Sequence, residues 1–255
     1  MKKLAVAAVV AGLAFGSAAA RADTVRVTPG WAGYVVRGGA GSFADVKGTW
    51  VQPEVSCNRP GSSAAFWVGL GGTRPNSRSL EQIGTSADCS DRAVLATSAW
   101  YQLFPAPAVT LPMTIRACDV ITAEVSVRGG AIALALRDES TKESFSTERW
   151  TLSPETDSAE WIVEAPAMCF LTCVLFPLAS FDRVGFTDTS ATVDAHTGAI
   201  GDPAWSHERL AIEAGGRRTA VATPLTFDGA AFDVLRSHRP LSQSPVLHTG
   251  ASRKR

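Results

Sequence analysis

The sequence predicts an all-β protein, a single domain built as a sandwich of two packed antiparallel sheets. Three observations carry that reading. Runs rich in Val, Ile, Thr, Phe, Trp and Tyr alternate along the chain with clusters of Gly, Pro, Asn and Ser, the punctuation expected of strands and turns. Beyond the N-terminal segment, no stretch repeats its apolar residues with the 3.6-residue period of a helix. There is no internal repeat and no interior linker, so roughly a dozen short strands must bury their apolar faces on one another, which two stacked sheets achieve economically.

The elements follow in chain order. "WAGYVV" (31–36) leads into the turn cluster "RGGAGS", "FADVKGTWVQPEV" (43–55) into "NRPGSS", and "AFWVGL" (65–70) into "GGTRPNS". "LEQIGTSADC" (80–89) reads as the end of a strand running into a turn, with the amide of Gln82 where a core strand would offer an apolar side chain. "AVLATSAWYQLF", "VITAEVSV", the turn "RGG" and "AIALALRD" continue the rhythm, followed by "STERWTL", "AEWIVEAP", "ASFDRVGFTDTSATVD" and "AFDVL".

At the N-terminus, Lys2 and Lys3 precede an apolar run from Leu4 to Phe15 and a small-residue stretch ending in Ala20-Arg21-Ala22. That is the pattern of a secretory signal peptide over residues 1–22. A membrane anchor would need about 18 or more apolar residues in a row. The expected location is therefore secreted, extracellular or periplasmic, with no membrane association once the signal is removed. Residues 23–236 form the expected domain, and residues 237–255, Pro/Ser-rich with Arg239, Arg253, Lys254 and Arg255 and no acid, read as a basic, disordered tail. Without the signal segment, 21 bases face 24 acids, and without the tail 17 face 24. A net-acidic body argues against nucleic acid as a partner, because phosphate binding needs a clustered basic face.

The side chains of several common chemistries are missing. No G-x-S-x-G elbow occurs, and no single Cys is matched with a well-placed His, so the usual nucleophilic hydrolases find no support. The four histidines lie late in the chain, at 196, 207, 238 and 248, and there is no H-E-x-x-H. The pair in "CFLTC" has no second Cys or His pair to complete a zinc shell, so neither metal nor cofactor is expected. Glu160 and Glu164 in "AEWIVEAP" share one face of a strand, a spacing that leaves a paired-carboxylate glycosidase open. Glu54, after Pro53, is a further carboxylate candidate, though its Pro neighbour suggests a strand edge or bulge.

Six motifs, "GTWVQPEVSC", "FWVGLGG", "LEQIGTSADC", "AWYQLFPAP", "AEWIVEAP" and "FDRVGFTD", stand in an order and at intervals that resemble the glutamic peptidase family, the eqolisins, over nearly the whole mature chain. The resemblance implies a sandwich of two bent antiparallel sheets of concanavalin-like (lectin-like) shape, with a Gln and a Glu on the concave face. The Gln of the family's Q-[TI]-G motif matches Gln82, and the Glu of its strand motif matches Glu164. Trp31 and Trp67 match tryptophans near the cleft, and with Trp100 they are candidates for substrate-side aromatics. Trp161 is assigned to packing. The implied function is that of a secreted acid endopeptidase acting on polypeptides as a monomer without a cofactor: Glu164 serves as general base and acid on water, and Gln82 as oxyanion donor. A carboxylate and a primary amide suit those two tasks.

The chain departs from fungal members of the family at two places. Gly71 in "WVGLGG" stands where they carry Asp, and Gln102 in "YQLFP" where they carry Glu. Both changes remove carboxylates expected near the cleft, which leaves a non-catalytic module binding peptide or carbohydrate as the alternative function. The five cysteines allow at most two disulfides and one free thiol. Cys57–Cys89 would tie the exit of the Gln82 strand to its neighbour and Cys169–Cys173 would close a small loop, leaving Cys118 as a buried or turn-shielded thiol.

Overall fold

The structure, a computed structural model, describes residues 24–38, 43–151, 153–169 and 173–237. The expected signal peptide, and the tail beyond Ser237, lie outside the described residues. Eighteen strands form among them: β1 (Val25–Thr28), β2 (Trp31–Arg37), β3 (Phe43–Val51), β4 (Ser63–Gly71), β5 (Leu80–Cys89), β6 (Leu95–Phe104), β7 (Val109–Thr110), β8 (Val120–Arg128) and β9 (Ala131–Asp138), then β10 (Ser144–Trp150), β11 (Ser158–Glu164), β12 (Ala167–Cys169), β13 (Cys173–Leu175), β14 (Arg183–Val193), β15 (His196–Gly198), β16 (Ser206–Ala214), β17 (Arg217–Ala222) and β18 (Phe232–Arg236). No helix is present among the described residues.

One hydrogen-bonded path runs β10, β9, β8, β3, β14 through one layer, turns over at β18 and β17, and continues β16, β2, β11, β4, β5, β6, β7 through the other. The layers are thus joined along one side by β17–β18 pairing. Neighbours on this path are antiparallel; β1 adds to β16 in parallel, and β12–β13 forms a separate ribbon. β3, β8 and β9 pack across β4, β5 and β11. Alternation puts every second residue of each strand into the space between layers, where Trp50, Trp161, Phe66, Phe186, Ile121 and Ile132 are fully buried. Each such side chain contributes about 1.5–3 kcal/mol by leaving water.

β4 is buried along its whole length and β2, β5 and β11 along most of theirs, which explains why "AFWVGL" reads as a continuous apolar run. Residues 80–89 are strand throughout, paired with β4 on one side and β6 on the other, so the turn expected within this stretch is instead strand interior. Gly84 serves packing here. A Cβ at this position would lie 2.2 Å from the Phe66 carbonyl oxygen and 2.5 Å from Trp67 Cβ, so only glycine lets β5 close on β4 beside that tryptophan.

Cys57 and Cys89 form the expected disulfide, with Cα atoms 5.4 Å apart across 32 residues of sequence. Removing it by a double Cys→Ala change should lower the unfolding free energy by about 2–4 kcal/mol, read as a shift of the urea midpoint. Cys169 stands opposite Cys173 in the β12–β13 register and Cys173 is disulfide-bonded; the Cys169 side chain lies outside the described residues. Cys118 corrects the expectation, since its thiol is exposed. It occupies a left-handed turn position, φ 71°, closed by the Asp119 N–H donating to the Arg116 carbonyl. That left-handed conformation is one that glycine adopts more readily than a residue with a side chain.

Candidate active site

Strand register brings the candidates together. Gln82 lies opposite Gln102 on β6 and Gly69 on β4, while Glu164 lies opposite Ala65 on β4 and Trp31 on β2. All these side chains therefore share the outer face of the second layer. That face has its own apolar floor of Val35, Ala65, Trp67, Leu80, Ile162 and Leu210. Above the floor runs a groove with two arms. One, of 610 Å³, is bordered by Trp31, Arg74, Leu80 and Phe104. The other, of 430 Å³, is bordered by Ser86, Asp88, Trp100 and Thr110. Gln82, Gln102, Glu164 and Ala167 line both arms, so the two principal candidates sit at the junction.

Gln82 is buried. Its Nε2 donates to Gln102 Oε1 at 2.8 Å, and its own Oε1 is buried without a protein partner. Glu164 Oε2 accepts a hydrogen bond from Trp67 Nε1 at 2.9 Å. Desolvation raises the Glu164 carboxyl above its ordinary value, and the Trp67 and Trp31 side chains pull it part of the way back by favouring the charged form. A carboxyl so placed is a stronger base than a solvated one. Trp67→Phe removes a donor to the ionised carboxylate, so the acid limb of any Glu164-dependent activity should move to higher pH.

The remaining candidates separate by depth. Trp67 is fully buried, meets Trp31 edge to face with centroids 5.1 Å apart, and serves Glu164 from the floor of the groove. Trp31 and Trp100 are half-buried and each borders one arm. Trp161 is core, its Nε1 donating to the Lys47 carbonyl. Glu54 is exposed beyond the end of β3. Glu160 shares the face of Glu164, but it is fully buried and neither of its oxygens has a hydrogen-bond partner. Desolvation holds its carboxyl well above the ordinary range, against the opposing pull of the nearby Ser158 hydroxyl and the Arg37 charge. A paired-carboxylate mechanism needs both groups at the substrate, and Glu160 borders neither arm. Among the described residues, no group of three or more His, Cys, Asp or Glu is placed to hold a metal.

The two departures have structural correlates. Gly71 has φ 84°, and a Cβ there would lie 2.2 Å from the Glu155 carbonyl oxygen, so an Asp would require the 153–157 segment to move. The Glu155 carboxylate is itself held there by the Ser77 hydroxyl and the Arg78 backbone N–H. Gln102 is far from a simple loss: it accepts from Gln82 and donates through Nε2 to the Ala106 carbonyl at 2.9 Å. Sequence reasoning missed that link, although the one available signal was a polar residue in strand phase with Trp100. It also missed Glu81, which is buried and faces the opposite side of β5 from Gln82.

Comparison with known proteins bears on the fold and the family. No curated protein matches the chain significantly. Among solved structures, Scytalido-glutamic peptidase with a peptide-based transition-state analog is 22% identical, with TM-score 0.70, over 82% of this chain and 98% of that one. SCP-B, described as a member of the eqolisin family of peptidases in complex with the tripeptide Ala-Ile-His, is 21% identical with TM-score 0.67 over the same shares. Aspergilloglutamic peptidase from Aspergillus niger is 24% identical, TM-score 0.57, over 69% of this chain and 99% of that one. These likenesses establish the β-sandwich fold. The model of the Peptidase A4 family matches residues 29–230. That match spans most of the chain, and the protein belongs to the peptidase A4 family, the glutamic peptidases or eqolisins, a hydrolase of the glutamic-endopeptidase type.

Proposed function

We propose that the protein is a secreted acid endopeptidase in which Glu164 and Gln82 act together on a water molecule and the scissile carbonyl. The observation that carries this reading is their placement at the junction of the two groove arms, where an extended polypeptide lying along the groove would present a peptide bond to both. Ionised Glu164 takes a proton from water as the water oxygen bonds to the carbonyl carbon. The negative charge that develops on the carbonyl oxygen is met by the Gln82 Nε2–H. Glu164 then delivers its proton to the amide nitrogen, the C–N bond breaks, and the carboxyl and amine products leave the enzyme in its starting state. The Cys57–Cys89 disulfide supports an oxidising, extracytoplasmic location. Both residues and both arms come from one chain, which supports action as a monomer.

The test is to incubate purified mature protein with a denatured protein over the range from acid to neutral pH and identify new peptides by mass spectrometry. Cleavage within the chain, confined to the acid side, is the expected result. Saturable binding of peptide or carbohydrate without cleavage at any pH would replace this reading with a non-catalytic binding module.

A further inference from the structure

We infer that Gln102 is a positioning residue that fixes which end of the Gln82 carboxamide faces the reacting atoms, and that it does so without titrating. The inference rests on the proposed dyad. A backbone carbonyl can only accept a hydrogen bond, so the Gln102 atom 2.9 Å from the Ala106 oxygen is the amide nitrogen. Its Oε1 therefore faces Gln82, and Gln82 must answer with its own Nε2, at 2.8 Å. The Ala106 carbonyl is in turn held by a closed turn after β6, in which the Ala106 N–H donates to the Leu103 carbonyl at 2.9 Å. Orientation thus passes from the backbone through one amide to the next.

The consequence concerns what remains of Gln82. One Nε2 hydrogen is committed to Gln102, while the other and the unpartnered Oε1 are left for an oxyanion and for a water proton. A flipped Gln82 would press its Oε1 against Gln102 Oε1, two acceptors with no proton between them, and would offer the wrong atom to the oxyanion. The charged groups that line the same groove are Glu164 on β11, Asp88 on β5 and Arg74 in the loop after β4; Glu81, opposite Leu103 in the register, belongs to the other face. A carboxyl at position 102 could reproduce the relay only while protonated. Ionised, it would confront the Ala106 carbonyl and add negative charge beside the developing oxyanion. Glutamine keeps the same donor and acceptor at every pH.

Three proteins test this: wild type, Gln102→Met, which keeps the bulk and loses both hydrogen bonds, and Gln102→Glu. Turnover of an internally quenched peptide should fall roughly tenfold in Gln102→Met with little change in KM, and with the shape of the pH profile retained. Gln102→Glu should approach wild-type turnover in acid and lose it at lower pH than wild type does as the medium is made less acidic. In parallel, the assigned side-chain NH₂ resonances of Gln82 should be sharp in wild type and follow with pH only the titration of Glu164, broaden in Gln102→Met, and show a second titration step in Gln102→Glu. Superimposable profiles for Gln102→Glu and wild type, or Gln82 resonances unaffected by either change, would overturn the inference. A wild type that cleaves nothing sinks the peptidase mechanism instead, and the resonances then decide the positioning role by themselves.

Discussion

Glu164→Gln should be close to inactive while remaining folded, with turnover lower by roughly 10²–10⁴-fold or more. The change preserves shape and lets the side chain keep an oxygen toward Trp67 Nε1, so the apolar floor around Trp67 and Ile162 loses nothing, and a thermal melt should match wild type within a few degrees. What disappears is the group proposed to remove a proton from water and return it to the departing nitrogen. Gln82→Ala removes the proposed oxyanion donor and should lose roughly a hundredfold or more in turnover. Glu160→Gln, by contrast, should retain most of the activity, because Glu160 has no access to the groove. Loss of activity in Glu160→Gln, or persistence of it in Glu164→Gln at every pH, would reverse the assignment of the base. The acid limb of kcat/KM in wild type should lie above the ordinary glutamate value of 4.5, because burial raises Glu164.

Stability should fall steeply as the medium is taken from weakly acid to neutral. Three carboxyls outside the proposed reaction carry the effect. Glu81 is pushed up to about 7, chiefly by burial. Asp45 is pushed up to about 7 by burial and then by the neighbouring charge of Glu124, with which it shares a hydrogen bond. Glu160, buried without a partner, lies well above the ordinary range. Each raised value means that the native state holds a proton that the unfolded chain has already released. The stabilisation is complete below the unfolded value and is lost as pH rises through the folded one. For Glu81, with an unfolded value of 4.5, the window is 4.5 to about 7 and the loss on the order of 3 kcal/mol. Asp45 is partly solvated, so its share is smaller.

Other acids set the lower edge of the stable range. Burial acts to raise Asp138, but the Thr141 hydroxyl and the Ser140 and Thr141 backbone N–H groups outweigh it and hold the carboxyl below its ordinary value, so its stabilisation is lost on strong acidification. Melting temperatures measured from pH about 3 to 8 should therefore peak on the acid side of neutrality. Glu160→Gln should flatten the decline toward neutral pH, since an amide cannot ionise. A melting temperature that rises steadily from pH 5 to 8 would show that these carboxyls are not protonated in the native state.

The sequence by itself determined the all-β character, most of the strand runs and the shared face of Glu160 and Glu164. Turn clusters and β-branched runs are local signals. The Gln82 and Glu164 motifs were recognisable through the resemblance of six motifs, in one order, to the glutamic peptidases, and not through any local property of an amide or a carboxylate in a strand. Depth was decided only by the tertiary structure. Glu160 and Glu164 occupy equivalent positions in an alternating strand, and a period of two assigns them one face without saying how far each lies from water. Glu164 falls at the open junction of the groove, whereas Glu160 falls near the start of β11, beside Asp157, Ser158 and Arg37. The same limit applies to Trp67, whose indole is buried and turned to Glu164, and to Cys118, exposed by one left-handed residue. Gln102 illustrates it most sharply. Read as a residue type it was a missing acid, and only the meeting of β5, β6 and the turn at Ala106 makes it a partner of Gln82, because a hydrogen bond depends on which atoms three separate segments bring within 3 Å.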